Sequence, residues 1–274
     1  MEIREIIKNA LIFPTRNLET LSIYAILSIL SAAFLTEGII TCIFGIVDII
    51  NLVIGIIFII IAIIIGLLTR RISIDCIKSG IEFEDKLPDF IWWKSFGTGI
   101  GKVIITIFYF IIPLLIVILI AIVTNVFGGI MTLVEEILLL APNALIQNSG
   151  SFSDAVYNAA LPLFISLTIT ISLGLIIFLI FSFFQVMAES RLANTGSLKT
   201  ALNVIGAARD IKRIGVLKLV LLSVIIYIIA AIFGVILTIL CDHLLFLSLL
   251  SIVITPYLVL FSQRCFGLLY SDIV

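Results

Sequence analysis

An all-α, polytopic integral membrane protein with six transmembrane helices is the fold class this sequence predicts, on three observations. The 274 residues are 62% hydrophobic and 12% charged, with a mean hydropathy of +1.38, against about 25% charged in soluble domains. The apolar stretches are continuous, without strand-like alternation, and about 20 such residues cross about 30 Å of hydrocarbon. Lipid satisfies no backbone polar group, so spans are helices or closed barrels, and unalternated runs select helices. Lastly, Lys and Arg are confined to alternate connections between the apolar runs.

The first apolar region, 21–68, is broken only by Glu37 and Asp48 and is too long for one crossing. It predicts two helices joined by a hairpin near 37–51, with Gly38, Gly45 and Asp48 loosening the turn. The spans then fall at about 20–42, 49–69, 103–123, 161–186, 216–240 and 244–261, in one domain covering 1–274. Pro113, Pro162 and Pro256 lie in or beside spans, where neighbouring groups satisfy the freed carbonyls. Ahead of the first span, Ile3, Ile6, Ile7 and Ala10 recur at helical spacing with Arg4 and Lys8 off the stripe. That pattern predicts a short helix lying on the membrane before Pro14.

Charge sets the orientation. Arg4, Lys8 and Arg16 precede the first span; Arg70, Arg71, Lys78, Lys86, Lys94 and Lys102 fall in or beside the loop at about 70–102. Arg191, Lys199, Arg209, Lys212, Arg213 and Lys218 fall in or beside the loop at about 187–215, and Arg264 follows the sixth span. The remaining connections carry Glu37, Asp48, Glu135, Glu136, Asp154 and Asp242 and no Lys or Arg. Cytoplasmic loops carry the Lys and Arg excess, so both termini are predicted inside, in a multi-pass protein of the plasma membrane. Cys76 and Cys265 are then expected to label from the cytoplasm, Cys42 and Cys241 only from outside or not at all.

Each basic loop has the plan of a helix end, a break and an interfacial amphipathic helix. In the first, the second helix runs past the membrane to a stop at Gly80, and a new segment begins at Pro88 and Asp89. Trp92 and Trp93 suit the headgroup level, with Lys94 snorkelling beside them. In the second, Gly196 ends the fourth helix and Ser197 caps the next. Leu198, Ala201, Leu202 and Ile205 there form a stripe opposite Lys199, Asn203 and Asp210.

The order Gly66, Arg70, Leu87, Pro88, Asp89, Phe90, Trp93 and then Gly99 or Gly101 resembles a family of archaeal and bacterial multi-pass membrane proteins, domain of unknown function 4013. Leu67 stands where that family has tyrosine, and Ile91 and Trp92 replace its acidic spacing before tryptophan. The resemblance implies a multi-pass membrane protein and carries no activity with it.

Catalytic chemistry finds little support. No charged residue falls at the middle of a predicted span, and the outer-turn reading of Glu37 and Asp48 is preferred to a coupling site. Cys241, Asp242 and His243 are adjacent without metal-ligand spacing, and the single histidine leaves no Ser/His or Cys/His pair elsewhere. No cofactor, metal or nucleic-acid partner is expected. GTGIG, 97–101, offers a small-residue face through Gly97 and Gly101 that suits helix packing. Ser166, Thr168, Thr170 and Ser172 alternate and so spread around a helix instead of lining one path. The expected role is therefore non-enzymatic: a membrane scaffold or partner subunit in contact with the bilayer and its anionic headgroups. It would dock a membrane or cytoplasmic protein through Arg70, Arg71, Leu87, Pro88, Asp89, Phe90, Trp92 and Trp93 and through 197–213. The alternative is a carrier of a small or lipid-like apolar substrate, which needs no buried charge.

Overall fold

A computed structural model describes residues 1–45, 48–86, 92–140, 149–243 and 248–274; side chains at 92–95, 139–140, 149–155, 240–243 and 248–249 lie outside the description. The described chain is helical throughout: α1 (Ile3–Arg16), α2 (Leu18–Phe44), α3 (Ile49–Ile81), α4 (Trp92–Val123), α5 (Val126–Leu140), α6 (Ser149–Thr195), α7 (Leu198–Ala201), α8 (Val204–Ile214), α9 (Val216–His243) and α10 (Ser248–Tyr270), closed by a 3₁₀ turn. Six of these, α2, α3, α4, α6, α9 and α10, are long and apolar enough to cross a membrane. Their outward residues, among them Ile26, Ile43, Ile57, Ile63, Leu175 and Ile228, are exposed apolar side chains, a surface suited to lipid. The protein is a multi-pass membrane protein.

The chain divides into two compact units, 1–106 with 184–274, and 107–183. In the first, α2 and α3 form the expected hairpin: Gly45 closes α2, and the Asp48 carboxylate accepts the Ile50 N–H at 3.1 Å to open α3. Gly38 does not loosen this turn. It lies inside α2 against α3, where an added Cβ would come within 2.8 Å of Ile59 Cγ1 and 3.0 Å of the Gly55 carbonyl oxygen. The missing side chains let the two helices touch. A core of Phe13, Leu21, Ile72, Cys76 and Leu260 joins α1, α2, α3 and α10. In the second unit, Asn125 takes a left-handed φ of 59° at the break between α4 and α5. There the hydroxyls of Thr124 and Thr170 are 2.8 Å apart, and Phe110 packs on Phe178. Thr170, the one buried member of its alternating row, thus satisfies its hydroxyl on Thr124, directly after α4.

Two helices run well past the predicted spans, to ends within one residue of the expected stops at Gly80 and Gly196. α3 reaches Ile81, about 50 Å from its start, and α6 ends at Thr195 after 47 residues, about 70 Å. Both exceed the hydrocarbon thickness. The N-terminal stripe is realised differently from its expectation: α1 passes through Pro14 to Arg16, and Ile6 and Ala10 are fully buried against protein. Tyr257 Oη of α10 donates to the Leu11 carbonyl at 2.6 Å, so α10 supplies the surface that α1 covers.

At its far end α3 runs one residue beyond the expected stop at Gly80. Phe83 then takes the left-handed conformation, φ 57°. Gly80 faces Gly267 of α10: a Cβ on Gly80 would sit 2.9 Å from the Gly267 Cα and 3.0 Å from the Arg264 carbonyl oxygen. In GTGIG the pairing also differs. Gly99 abuts the Leu67 backbone and Gly101 abuts Leu192, whereas Gly97 has open space beside it.

Candidate docking site at the polar helix ends

The extended ends of α3, α4, α6 and α10 carry charges that the sequence reading leaves in loops, and the fold buries them. Arg264, on α10, has no exposed surface. Its Nη1 donates to Ser79 Oγ at 3.0 Å and to the Glu84 carbonyl at 2.8 Å; Nε donates to Asn9 Oδ1 at 3.3 Å. The guanidinium also lies 4.4 Å from the centre of the Phe13 ring. One side chain therefore ties α1, α3, α10 and the segment after α3 together through neutral acceptors and a π face. That segment is held a second time: Asn17 Nδ2 donates to the Asp85 carbonyl at 2.9 Å, and Arg16 pairs with Asp85 at 2.8 Å.

Two further groups join other elements. Lys102 of α4 meets Glu189 of α6 at 3.1 Å, with side chains 11% and 7% exposed. Gln185, one turn before Glu189, donates to it at 3.0 Å and to Thr106 at 3.4 Å. The i, i+4 spacing of Gln185 and Glu189 places both on one face of α6. Arg191 of α6 reaches Asp210 of α8 at 3.2 Å, and Tyr270 Oη donates to the same carboxylate at 3.1 Å. Gly206 makes this possible, because a Cβ there would overlap the Arg191 guanidinium. At the other side of the chain's end, Lys218 at the start of α9 pairs with Asp272.

The second basic loop is two helices where the sequence predicts one stripe. Gly196, φ 66°, ends α6 and Ser197 Oγ accepts the Thr200 N–H as expected, but α7 closes after one turn. Asn203 then caps α8, accepting the Gly206 N–H at 3.0 Å. The faces exchange roles accordingly: Ile205, expected on the apolar stripe, is 68% exposed, and Asp210, expected in water, is buried. Arg209, Lys212 and Arg213 point outward from α8. The helix is held from behind and basic in front.

Of the predicted docking residues, Arg70 is exposed within α3, and Arg71 beside it is buried and donates from Nε to Asp75 Oδ2 at 2.8 Å. Leu87, Pro88, Asp89 and Phe90 lie outside the described residues, as do the side chains of Trp92 and Trp93, and those of Cys241, Asp242 and His243. Among the described residues no group of three or more His, Cys, Asp or Glu converges. Cys76 and Cys265 are wholly buried, and Cys76 donates to the Leu260 carbonyl at 3.2 Å, so neither thiol reports which side of the membrane it lies on. Sequence reasoning missed Lys102, Glu189, Arg191, Asp210 and Arg264. The available signal was the close succession of Gln185, Glu189 and Arg191 directly after an apolar run, which marks a helix continuing with a polar face.

Lys102 with Glu189, Arg191 with Asp210, and Arg264 with its neutral acceptors join helix ends, and Arg209, Lys212 and Arg213 are exposed beside them. A family model described as "Protein of unknown function (DUF4013)" matches residues 54–241, from α3 into α9. No curated protein and no solved structure matches the chain.

Proposed function

For a chain that belongs to the DUF4013 family of proteins of unknown function, we propose a non-enzymatic role as a membrane scaffold or partner subunit. The reading places both termini and the basic loops in the cytoplasm, in the plasma membrane, by the Lys and Arg asymmetry of the connections. The observation that carries it is α8. This helix is tied from behind by Arg191 and Tyr270 through Asp210, and it presents Arg209, Lys212 and Arg213 as an ordered basic ridge. Side chains held on a rigid element lose little freedom on association, which favours docking of an acidic protein surface.

The test is reversal of the ridge. Arg209→Glu, Lys212→Glu and Arg213→Glu together, in protein extracted from its native membrane in a lipid-preserving particle, should leave insertion intact and remove any protein recovered in fixed ratio with the wild type. A wild-type preparation holding one small molecule per chain and no protein companion would refute the scaffold and support the carrier. A single cysteine at Lys212 should label only from the cytoplasm; labelling from outside would overturn the orientation.

A further inference from the structure

We propose that the cleft between the ends of α3, α4 and α6 binds the phosphate headgroup of a singly anionic lipid, with Arg71 and Lys78 as its ligands. The inference stands apart from the α8 ridge and does not depend on it.

The cleft has a volume of about 700 Å³. Arg71, Asp75 and Lys78 line one side, at positions i, i+4 and i+7, and so on one face of α3. Arg71 is buried to more than nine-tenths; Asp75 engages its Nε, and its Nη1 has no hydrogen-bond partner among the described residues. A charged donor both enclosed and unpartnered is strongly unfavourable, and a rotation of the guanidinium toward the cleft would present it to an oxyanion in the fork geometry it prefers. Lys78 is half-exposed and only loosely paired with Glu82, at 3.7 Å, which leaves its ammonium available as a second positive centre. Each cation already faces one carboxylate, Arg71 facing Asp75 and Lys78 facing Glu82, so a phosphodiester competes for the loosely held Lys78 and for the unpartnered edge of Arg71. The carbonyl end of α6, which also lines the cleft at Thr195 and Gly196, disfavours a more highly charged group.

Shape and polarity select a lipid over a soluble phosphate ester. Gly97 lines the cleft, and a Cβ added there meets nothing within 4 Å, so the space beside it is open. Ile100 and Ile104 line the wall contributed by α4 and are exposed at 46% and 38%. They lie in succession along the helix toward its apolar stretch. A headgroup on Arg71 would have its acyl chain beside that isoleucine track. Such an arrangement combines charge recognition with apolar burial, as interfacial lipid sites do.

The experiment is native mass spectrometry of the full chain in mild detergent, titrated with phosphatidylglycerol, with diacylglycerol, and with glycerol 3-phosphate. Phosphatidylglycerol should be retained about tenfold more strongly than diacylglycerol, which lacks the charged group. Lys78→Gln should lower retention about fivefold. Gly97→Leu should abolish it by filling the cleft while keeping the fold, because leucine suits a helix interior better than glycine does. Arg71→Gln should act like Gly97→Leu, and the two exposed-site variants keep the test decisive if that substitution unfolds the chain. Equal retention of diacylglycerol, or wild-type retention by Gly97→Leu, would overturn the site. Glycerol 3-phosphate bound as strongly as the lipid would assign the cleft to a soluble ester and overturn the lipid assignment.

Discussion

Consider the Lys102–Glu189 pair cut one member at a time. The ammonium and carboxylate are 3.1 Å apart and nearly enclosed, at 11% and 7% exposure, so water screens them little. At an effective dielectric of about 20 their attraction is about 5 kcal/mol, offset by a desolvation cost of several kcal/mol per ion. The net worth of the pair is therefore small, but the cost of stranding one charge is not. Lys102→Met leaves Glu189 buried with only the Gln185 amide, and Glu189→Leu leaves Lys102 buried without a carboxylate. Each should cost about 3–5 kcal/mol, a large part of the 5–15 kcal/mol that holds a typical protein together. The double variant replaces both charges with apolar groups of similar size and should lose less than either single one. The assay is the fraction of folded protein surviving graded heating in mild detergent, read by size exclusion, for the wild type, both singles and the double. A double variant that loses the sum of the two singles would refute the claim that these groups are coupled.

Other consequences are as direct. Gly80→Val puts branched carbons where the Gly267 backbone already sits 2.9 Å from a Cβ position, and should destabilise by about 1–3 kcal/mol or more in the same heating assay. Gly215, at φ 94°, should cost about 1–2 kcal/mol when changed to Ala, also by heating; no loss would mean the α8–α9 turn tolerates another conformation. Asp210→Ala should free α8 from Arg191 and Tyr270 and speed tryptic cleavage at Arg209, Lys212 and Arg213, read as fragment appearance with time. Cys76 and Cys265 should resist a membrane-permeant maleimide until the protein is unfolded; modification of the native protein at the rate of a free thiol would contradict their burial.

The spans were legible because their information is local. Each is a run whose composition alone decides between water and lipid, and the hairpin break near Asp48 and the stop at Gly196 follow from single residues acting on their own backbone. The burial of charge was not legible, for the opposite reason. Arg264 reads as a loop cation until Ser79, Glu84, Asn9 and Phe13 arrive from three other parts of the chain to surround it. Asp210 belongs to a water-facing pattern on its own helix and is drawn inward by Arg191, nineteen positions earlier, and by Tyr270, sixty positions later. Gly38 and Gly80 look like breaks because glycine usually is one, yet here each serves a neighbouring helix. Of the docking residues read from the sequence, Arg70 and Arg71 are described in full, while 87–90 and the side chains of Trp92 and Trp93 lie outside the described residues.

The packing of α1 on α10 also has a consequence in time. Tyr257 and Leu11 are 246 positions apart, and chains are synthesised at about 5–20 residues per second, so α1 exists for roughly 12–50 s before its partner does. Throughout that interval the stripe of Ile6, Ala10 and Phe13 lacks the part of its cover that α10 supplies. The membrane surface is the available shelter for an amphipathic helix in that state. The packing of α1 on α10 is thus a late step, completed only when the last helix of the bundle is made.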